Sequence, residues 1–295
     1  MMYINTMRIL VTENCNARCP HCFNSFYREK KEIDIKTYIK LCDYLSSNNI
    51  SRVKIMGGEP TVHSSFREII KISQSYFDSV IVFTNAMNER ITDMHPRDDD
   101  AIVYNFKFIS THFKKKKFLL DQPGRSRLEI QIGIKTNVEN IMNRLYFYKD
   151  IIHNMKINLT LDCMENIFEH KLLLQDKFGV ISRFITEELG VSYYVDHIIP
   201  SCLFSEHIDT PDALCSIKCA GLIDSSLRLR FCNQHESPLC SIVLPQGGFI
   251  PFNELVSNIE SAFNSKIDII RSKKCKNCSL FQIKCNGGCF AHKYL

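Results

Sequence analysis

Apolar positions along this chain follow two periods in turn. "MRILVT" (residues 7–12) is a short, almost unbroken apolar run of the kind that fills a strand buried on both faces. "DIKTYIKLCDYLSSNN" (34–49) then repeats apolar residues at helical spacing, with Asp34 placed as its N-cap. "SRVKIMGG" reads as a second strand running into a turn, "SSFREIIKISQSYF" as a helix capped by Ser64 or Ser65, and "SVIVFTNA" as a third strand. "AIVYNFKFIS" and "RLEIQIGIKT" are a fourth and fifth, joined through a turn at Pro123-Gly124. "NVENIMNRLYFYKDIIHN" is a helix and "KINLTLDC" a sixth strand, and Tyr193, Tyr194 and Asp196 end the last predicted strand.

Strands and helices alternating at these lengths predict parallel pairing with right-handed crossovers, in an open sheet or a partial barrel. In either case the chemistry gathers at the carboxyl ends of the strands. Three unusual loops fall on that one rim: "TENCNARCPHCFN" after the first strand, "GGEP" after the second and "TNA" after the third. After residue 196 the pattern breaks into an irregular, cysteine-rich stretch. A small hairpin in "IDSSLRLRFC", a helix through "ELVSNIESAFNS" and the tail "CKNCSLFQIKCNGGCFAHKYL" follow. This second region is short of apolar bulk for its length, and metal staples would hold it together. The expected division is therefore residues 1–196 and 197–295.

Composition narrows the class. The chain has 295 residues, 45% hydrophobic and 23% charged, which is ordinary for a soluble globular protein of one large or two smaller domains. A net charge of +5 is too mild to call for nucleic acid, and the one dense basic block, Lys114–Lys117, reads as a solvated face. No signal-peptide pattern is legible and no apolar run approaches the ~20 residues that span a membrane, so a cytoplasmic protein is expected. Fourteen cysteines are the anomaly. In a reducing compartment they point to metal or catalysis rather than disulfides. Cys42, inside a helical pattern, and Cys163, at a strand end, read as small buried apolar residues.

Cys15, Cys19 and Cys22 put three soft ligands in one short loop, whereas a structural zinc or a closed iron–sulfur site asks for four per metal. Either a fourth ligand comes from elsewhere or one position is left open. Set beside Gly57-Gly58-Glu59-Pro60, the spacing Cys15-x3-Cys19-x2-Cys22, with Phe23 after it and His21 as a neighbour that shapes the loop, resembles the radical S-adenosylmethionine (radical SAM) superfamily. That resemblance implies a partial (β/α)6 barrel and a [4Fe–4S] cluster on the three thiolates, with the fourth iron open to SAM's amino and carboxylate groups. It further implies reductive cleavage of SAM to a 5′-deoxyadenosyl radical that abstracts a substrate hydrogen. Gly57, Gly58, Glu59 and Pro60 are then expected at SAM's amino group, the paired glycines admitting close backbone approach. Thr84-Asn85-Ala86 is similar to the family's "TNG", which adds Asn85 to the cofactor-binding set. His63 is expected to shape its turn. Arg125 and Arg127 are candidates for an anion against a default of surface ion pairs, and no catalytic proton donor or acceptor is assigned.

Cys275-x2-Cys278-x6-Cys285-x3-Cys289 resembles the auxiliary-cluster extension called SPASM, or its shorter relative, twitch, with one residue more than the usual second gap. Upstream, Cys215, Cys219 and Cys232 are similar to the part where cysteines flank a glycine turn, although Leu227 stands where that glycine is expected. The resemblance implies one auxiliary [4Fe–4S] cluster on Cys215, Cys219, Cys232 and Cys289, and a second on Cys275, Cys278 and Cys285. The family's final cysteine is not found after Cys289, which leaves the second cluster to His292, to Cys240 or to an open iron. A zinc knuckle on Cys275, Cys278, Cys285 and Cys289 is the simpler reading of the same spacing.

The expected activity is modification of a ribosomally synthesised peptide by crosslink, thioether, epimerisation or oxidation. An external electron donor such as flavodoxin or ferredoxin is implied, with neither membrane nor nucleic acid as partner. No leader-binding domain precedes the first strand, so a peptide would come with a separate leader-binding protein or be recognised at the barrel mouth. A small-molecule dehydrogenase or rearrangement enzyme is the alternative within the superfamily. A zinc-stapled binding protein without catalysis is the alternative outside it.

Overall fold

The computed structural model describes residues 4–19, 22, 31–108, 125–161, 169–195, 220–231, 238–267 and 277. Outside that set lie the Pro123-Gly124 turn, Lys114–Lys117, His21, Phe23, Cys163, Asp196, Cys202, Cys215, Cys219, Cys232, Cys275, Cys278, Cys285, Cys289 and His292. The chain divides into two units, one of residues 1–108 and 217–265, the other of 109–216 and 266–295. The first carries β1 (Thr6–Thr12), α1 (Ile35–Ser46), β2 (Arg52–Gly57), α2 (Phe66–Tyr76), β3 (Ser79–Thr84) and β4 (Ala101–Asn105). The second carries β5 (Ser126–Ile132), α3 (Val138–Phe147), α4 (Lys149–Ile152), β6 (Lys156–Leu161), α5 (Lys171–Arg183) and β7 (Tyr193–Val195). The chain then adds β8 (Ala220–Ile223), β9 (Arg228–Arg230), β10 (Cys240–Ser241) and α6 (Phe252–Ile267) to the first unit.

In the first unit the strand order is β10-β9-β8-β1-β2-β3-β4. The run from β8 to β4 is parallel, and β9 and β10 are antiparallel additions. In the second, β5, β6 and β7 are parallel. The α/β class expected from the alternating pattern is what forms. Met7, Ile9, Val11, Val53, Ile55, Val80 and Val82 are fully buried, as are Tyr38, Leu41, Cys42 and Leu45 along one stripe of α1. Asp34 caps α1 through Thr37 N–H at 3.0 Å. Ser73 Oγ donates to Ile69 O at 2.6 Å, so Tyr38 donates its hydroxyl proton to Ser73 at 2.7 Å and joins α1 to α2. Cys42 is the apolar residue expected of it, its thiol pushed up to about 12 by burial. Among the described residues no helix is long and apolar enough to cross a membrane.

Four details differ from the sequence reading. The fourth strand stops at Asn105, whose Oδ1 accepts Lys107 N–H at 3.0 Å and turns the chain. The helix over 137–154 breaks at Tyr148, which takes φ −104° and ψ 13°. Helix α5 was not foreseen, because exposed Leu172 and Leu173 and mid-helix Gly179 blur the buried stripe of Leu174, Phe178 and Ile181. Strand β8 does form a hairpin with β9, but it also pairs in parallel with β1, from Thr6↔Ala220 to Ile9↔Ile223.

The amino ends of β3 and β4 are clasped by Asp100, 3% exposed. Its oxygens accept Val80 N at 2.8 Å, Gln74 Nε2 at 2.8 Å, and Arg97 Nε and Nη2 at 3.1 and 3.0 Å. Burial alone would raise its pKa, but the bonds from Arg97, Gln74 and Val80 outweigh it and hold the carboxyl below its ordinary range. Asp100→Ala is expected to lower stability by about 3 kcal/mol in urea unfolding. Because the folded pKa lies below the unfolded one, this stabilisation is full above about pH 4 and fades as pH falls through the folded value. The gap between wild type and variant should therefore narrow from pH 6 to pH 3. A gap that held constant would rule out the ionic clasp.

Candidate active site

The cysteine loop leaves β1 at Thr12 and returns beside it. Glu13 N–H donates to Lys31 O and Ile33 N–H to Val11 O, both at 2.9 Å, around an antiparallel bridge between Thr12 and Glu32. The Glu32 carboxylate reinforces this foot. Its Oε1 accepts Asn14 Nδ2 at 3.2 Å and Thr12 Oγ1 at 3.4 Å, and its Oε2 accepts Ser64 N–H at 3.1 Å.

The other foot rests on the glycines. The β1–β2 pairing runs on past the strands, with Gly58 N–H donating to Thr12 O and Glu59 N–H to Asn14 O, both at 2.8 Å. A Cβ at Gly57 would stand 2.6 Å from Thr12 O, and one at Gly58 would stand 2.3 Å from Asn14 O. The close approach for which both glycines are needed is thus that of the cysteine loop's own backbone. Pro60, with its preset φ, opens the 3-10 turn Pro60–Val62.

Glu59 is 1% exposed and turned inward. Oε1 accepts Thr61 N–H at 3.2 Å and the hydroxyls of Thr61 and Thr84, each at 2.7 Å, and Oε2 accepts Asn85 N–H at 2.7 Å. Asn85 in turn donates Nδ2 to Asn16 Oδ1 at 2.8 Å, inside the cysteine loop. The three rim loops are therefore one hydrogen-bonded assembly. Ala86, where the family pattern has glycine, keeps a left-handed φ of 57°.

His63, 1% exposed, shapes its turn as expected. Nδ1 accepts Ser65 N–H at 3.0 Å, so the proton is on Nε2 and is donated to Ile33 O at 2.9 Å. Arg90 donates to His63 O and Ser64 O at 2.8 and 2.9 Å, and Asn88 to Thr61 O at 3.0 Å. Sequence reasoning missed Asn16, Glu32, Asn88, Arg90 and Lys107. Only their places, beside the cysteines or just past a strand's carboxyl end, could have marked them.

Burial raises the Cys15 thiol pKa; the Ala17 N–H at 3.3 Å opposes this, and the charges of Glu59, Cys22 and Cys19 add to it. Cys19 is raised by burial and by Cys22, against the opposing charge of Lys107. Cys15 and Cys19 thus each feel a neighbouring cysteine, and thiolates at these positions call for a positive core among them. A ferric–ferrous sulfide core supplies that charge, so this donor set fits an iron–sulfur cluster. Among the described residues no three His, Cys, Asp or Glu side chains converge to hold a single metal ion.

Elsewhere, the β8–β9 turn meets the same rim. Ser225 Oγ donates to Glu13 Oε1 at 3.1 Å, two residues before Cys15. Buried Asp224 accepts Arg228 Nε at 2.9 Å and Arg230 Nε at 2.7 Å, and Leu227 adopts a left-handed φ of 57°. Cys240 lies in β10, its Sγ 3.4 Å from Asn258 Nδ2. Arg127 is second in β5, roughly 16 Å along the strand from its carboxyl end, and Arg125 lies just before the strand, so both stand at its amino end. Tyr193 packs edge-on to Phe178, and Tyr194 is exposed on the opposite face of β7.

The radical SAM superfamily pattern matches residues 9–116. The chain is 29% identical over 87 residues to the GTP 3′,8-cyclase of Chlorobaculum tepidum, covering 28% of this chain and 26% of that protein. It is 27% identical over 81 residues to the sporulation killing factor maturation protein SkfB of Bacillus subtilis, covering 27% and 20%. The matches to the cyclases of Chlorobaculum tepidum and Thermococcus kodakarensis and to SkfB thus span about a quarter of the length of those proteins. Streptococcus suis SuiB bound to the precursor peptide SuiA has a similar fold, with a TM-score of 0.69 at 14% identity over 99% of this chain and 73% of that one.

Two one-methyl changes on this rim should move stability in opposite directions. Gly58→Ala drives a Cβ into Asn14 and is expected to cost about 2–3 kcal/mol. Ala86→Gly relieves a left-handed residue and should gain about 0.5–1 kcal/mol. Denaturant unfolding reads both, and equal signs would contradict the rim geometry.

Proposed function

We propose that this chain, which belongs to the radical SAM superfamily through residues 9–116, holds a [4Fe–4S] cluster on Cys15, Cys19 and Cys22 and works on a peptide. The observation that carries the reading is the fastening of the cysteine loop to both "GGEP" and "TNA" at the carboxyl ends of three adjacent parallel strands. When bound, the cluster and SAM supply one-electron cleavage of SAM and a 5′-deoxyadenosyl radical that takes a substrate hydrogen. The protein's part is position and dryness. The segment Gly57–Pro60 and Asn85 form the wall at which SAM's methionine end would lie, held rigid by Glu59. Leu10, Met56 and Leu222, with Phe83 packed against them, form an apolar cluster at the ends of β1, β2, β3 and β8 that would help to exclude water.

A peptide substrate is supported by the fold shared with SuiB, whose structure holds a precursor peptide, and by the similarity to SkfB, named for maturation of a killing factor. The similarity to GTP 3′,8-cyclases favours a second reading, a rearrangement of a small molecule. Residues 197–295 would carry one or two auxiliary clusters, on Cys215, Cys219, Cys232 and Cys289 and on Cys275, Cys278 and Cys285. A cytoplasmic setting with flavodoxin or ferredoxin as donor completes the proposal.

The test is iron and sulfide content after anaerobic reconstitution, for wild type and for Cys15→Ala/Cys19→Ala/Cys22→Ala, with 5′-deoxyadenosine release as second readout. Content near ~12 irons falling to ~8 means two auxiliary clusters, and ~8 falling to ~4 means one. In both cases the variant should cleave no SAM. Zinc without sulfide in wild type sinks the enzyme reading, and a GTP-derived product in place of a modified peptide selects the second one.

A further inference from the structure

We infer that Glu32 is a positioning residue that sets the place of the first cluster thiol, Cys15, through Asn14; the inference rests on the radical SAM reading above. Asn14 directly precedes Cys15 and is held on three sides. Its N–H donates to Thr12 Oγ1 at 3.1 Å, its carbonyl accepts Glu59 N–H at 2.8 Å, and its side-chain amide donates to Glu32 Oε1 at 3.2 Å. The peptide plane that contains the Asn14 carbonyl also contains the nitrogen and Cα of Cys15. Whatever fixes Asn14 therefore fixes where the Cys15 side chain starts, and the Ala17 N–H on Sγ fixes where it points.

Glu32 is the part of this arrangement that joins separate segments. It sits just after the cysteine loop, in a single antiparallel bridge to Thr12, and grips the segment entering the loop at Thr12 and Asn14. Its second oxygen takes Ser64 N–H, in the turn that continues from "GGEP". The next residue repeats the link, since Ile33 O accepts His63 Nε2–H. One carboxylate thus ties the entry and exit of the loop to the segment against which SAM would lie. Its side chain is 24% exposed, at the edge of the fold. Its loss should loosen the loop without opening the core.

A carboxylate that accepts three donors is hard to replace. Glutamine keeps one oxygen for Thr12 and Asn14 but turns an amide toward the Ser64 N–H, donor against donor. Alanine removes every link. Glu32→Ala and Asn14→Ala break the same bond, so their effects should not add.

The experiment uses the reconstituted full chain as wild type, Glu32→Gln, Glu32→Ala, Asn14→Ala and Glu32→Ala/Asn14→Ala. It follows iron release to a chelator, the SAM-dependent change in the reduced-cluster EPR signal, and thermal unfolding. Glu32→Ala and Asn14→Ala should each release the loop's iron about tenfold faster, the scale of one lost charge-assisted hydrogen bond. Both should broaden the SAM-dependent EPR signal, the double variant should be no worse than the worse single, and Glu32→Gln should fall between. Unchanged iron release and EPR line shape in the variants, or additive effects in the double, would overturn the inference. A drop in melting temperature with an unaltered EPR line shape would do the same, making Glu32 merely structural. If Glu32→Ala does not fold, Glu32→Gln and Asn14→Ala carry the test. A cluster-bearing wild type with indifferent variants defeats only the role of Glu32, whereas a wild type that takes up no iron and sulfide defeats this inference together with the proposed function.

Discussion

The rim of the first unit depends on one buried carboxylate. Glu59 is 1% exposed, where an unpaired charge would be untenable. It is retained because four donors close on it: two hydroxyls, from Thr61 and Thr84, and two backbone amides, from Thr61 and Asn85. Those donors belong to the 3-10 turn after β2 and to the end of β3, so satisfying the charge and joining the two segments are the same event. Hydrogen bonds to a buried carboxylate are stronger than neutral ones and expensive to leave unmade, which makes this junction stiff. Asn85, held at its backbone by Glu59, is then free to offer its amide to Asn16. The position of the cysteine loop follows from the neutralisation of a charge it never touches by side-chain hydrogen bond.

Stiffness matters because this loop carries Cys15, which is exposed, and Cys19 and Cys22, which are half-buried. Residues 14–30 leave and rejoin β1 at adjacent positions, and each foot is tied to the segment that runs from Gly57 to Ser65. Closing a loop on paired feet limits the conformations left to its tip. The feet also share neighbours: Arg90 holds the carbonyls of His63 and Ser64, and His63 holds Ile33. The cysteine loop is thus fastened on both sides of its base.

Most of the first unit was legible in the sequence because buried parallel strands announce themselves as unbroken apolar runs. β1, β2 and β3 lie within two residues of their expected bounds, and the cap at Asp34 is where it was placed. What was not legible is whatever depends on distant partners. Nothing in "AGLI" says that it will lie beside "MRIL", because a parallel register more than two hundred residues apart leaves no local mark. The direction of the Glu59 side chain was equally hidden: a carboxylate in a glycine turn suits a ligand's ammonium as well as it suits two threonines. Its bonds to Thr61 and Thr84 are legible only at their actual distances. Helix α5 was lost for a local reason: exposed Leu172 and Leu173 and mid-helix Gly179 obscure its buried stripe.

The glycines separate two demands that a motif treats as one. Gly57 and Gly58 have no left-handed backbone, and what they need is space, since any Cβ there meets the carbonyls of Thr12 and Asn14. Ala86 and Leu227 have the opposite problem, with room for a side chain and φ of 57° at both. A left-handed residue costs roughly 1–2 kcal/mol, a penalty that neighbouring hydrogen bonds can outweigh. At Leu227 they do: its N–H donates to Asp224 O, and Asp224 Oδ1 takes Ser226 N–H and Arg228 N–H, so the turn is fixed from several sides. At Ala86 the N–H reaches Thr84 Oγ1 while Asn85 Oδ1 takes Met87 N–H. A dihedral demand can thus be met by a non-glycine residue inside a well-bonded turn, whereas a demand for space cannot. Non-glycine residues are tolerated at 86 and 227 for that reason, and glycines stand at 57 and 58, where two backbones touch.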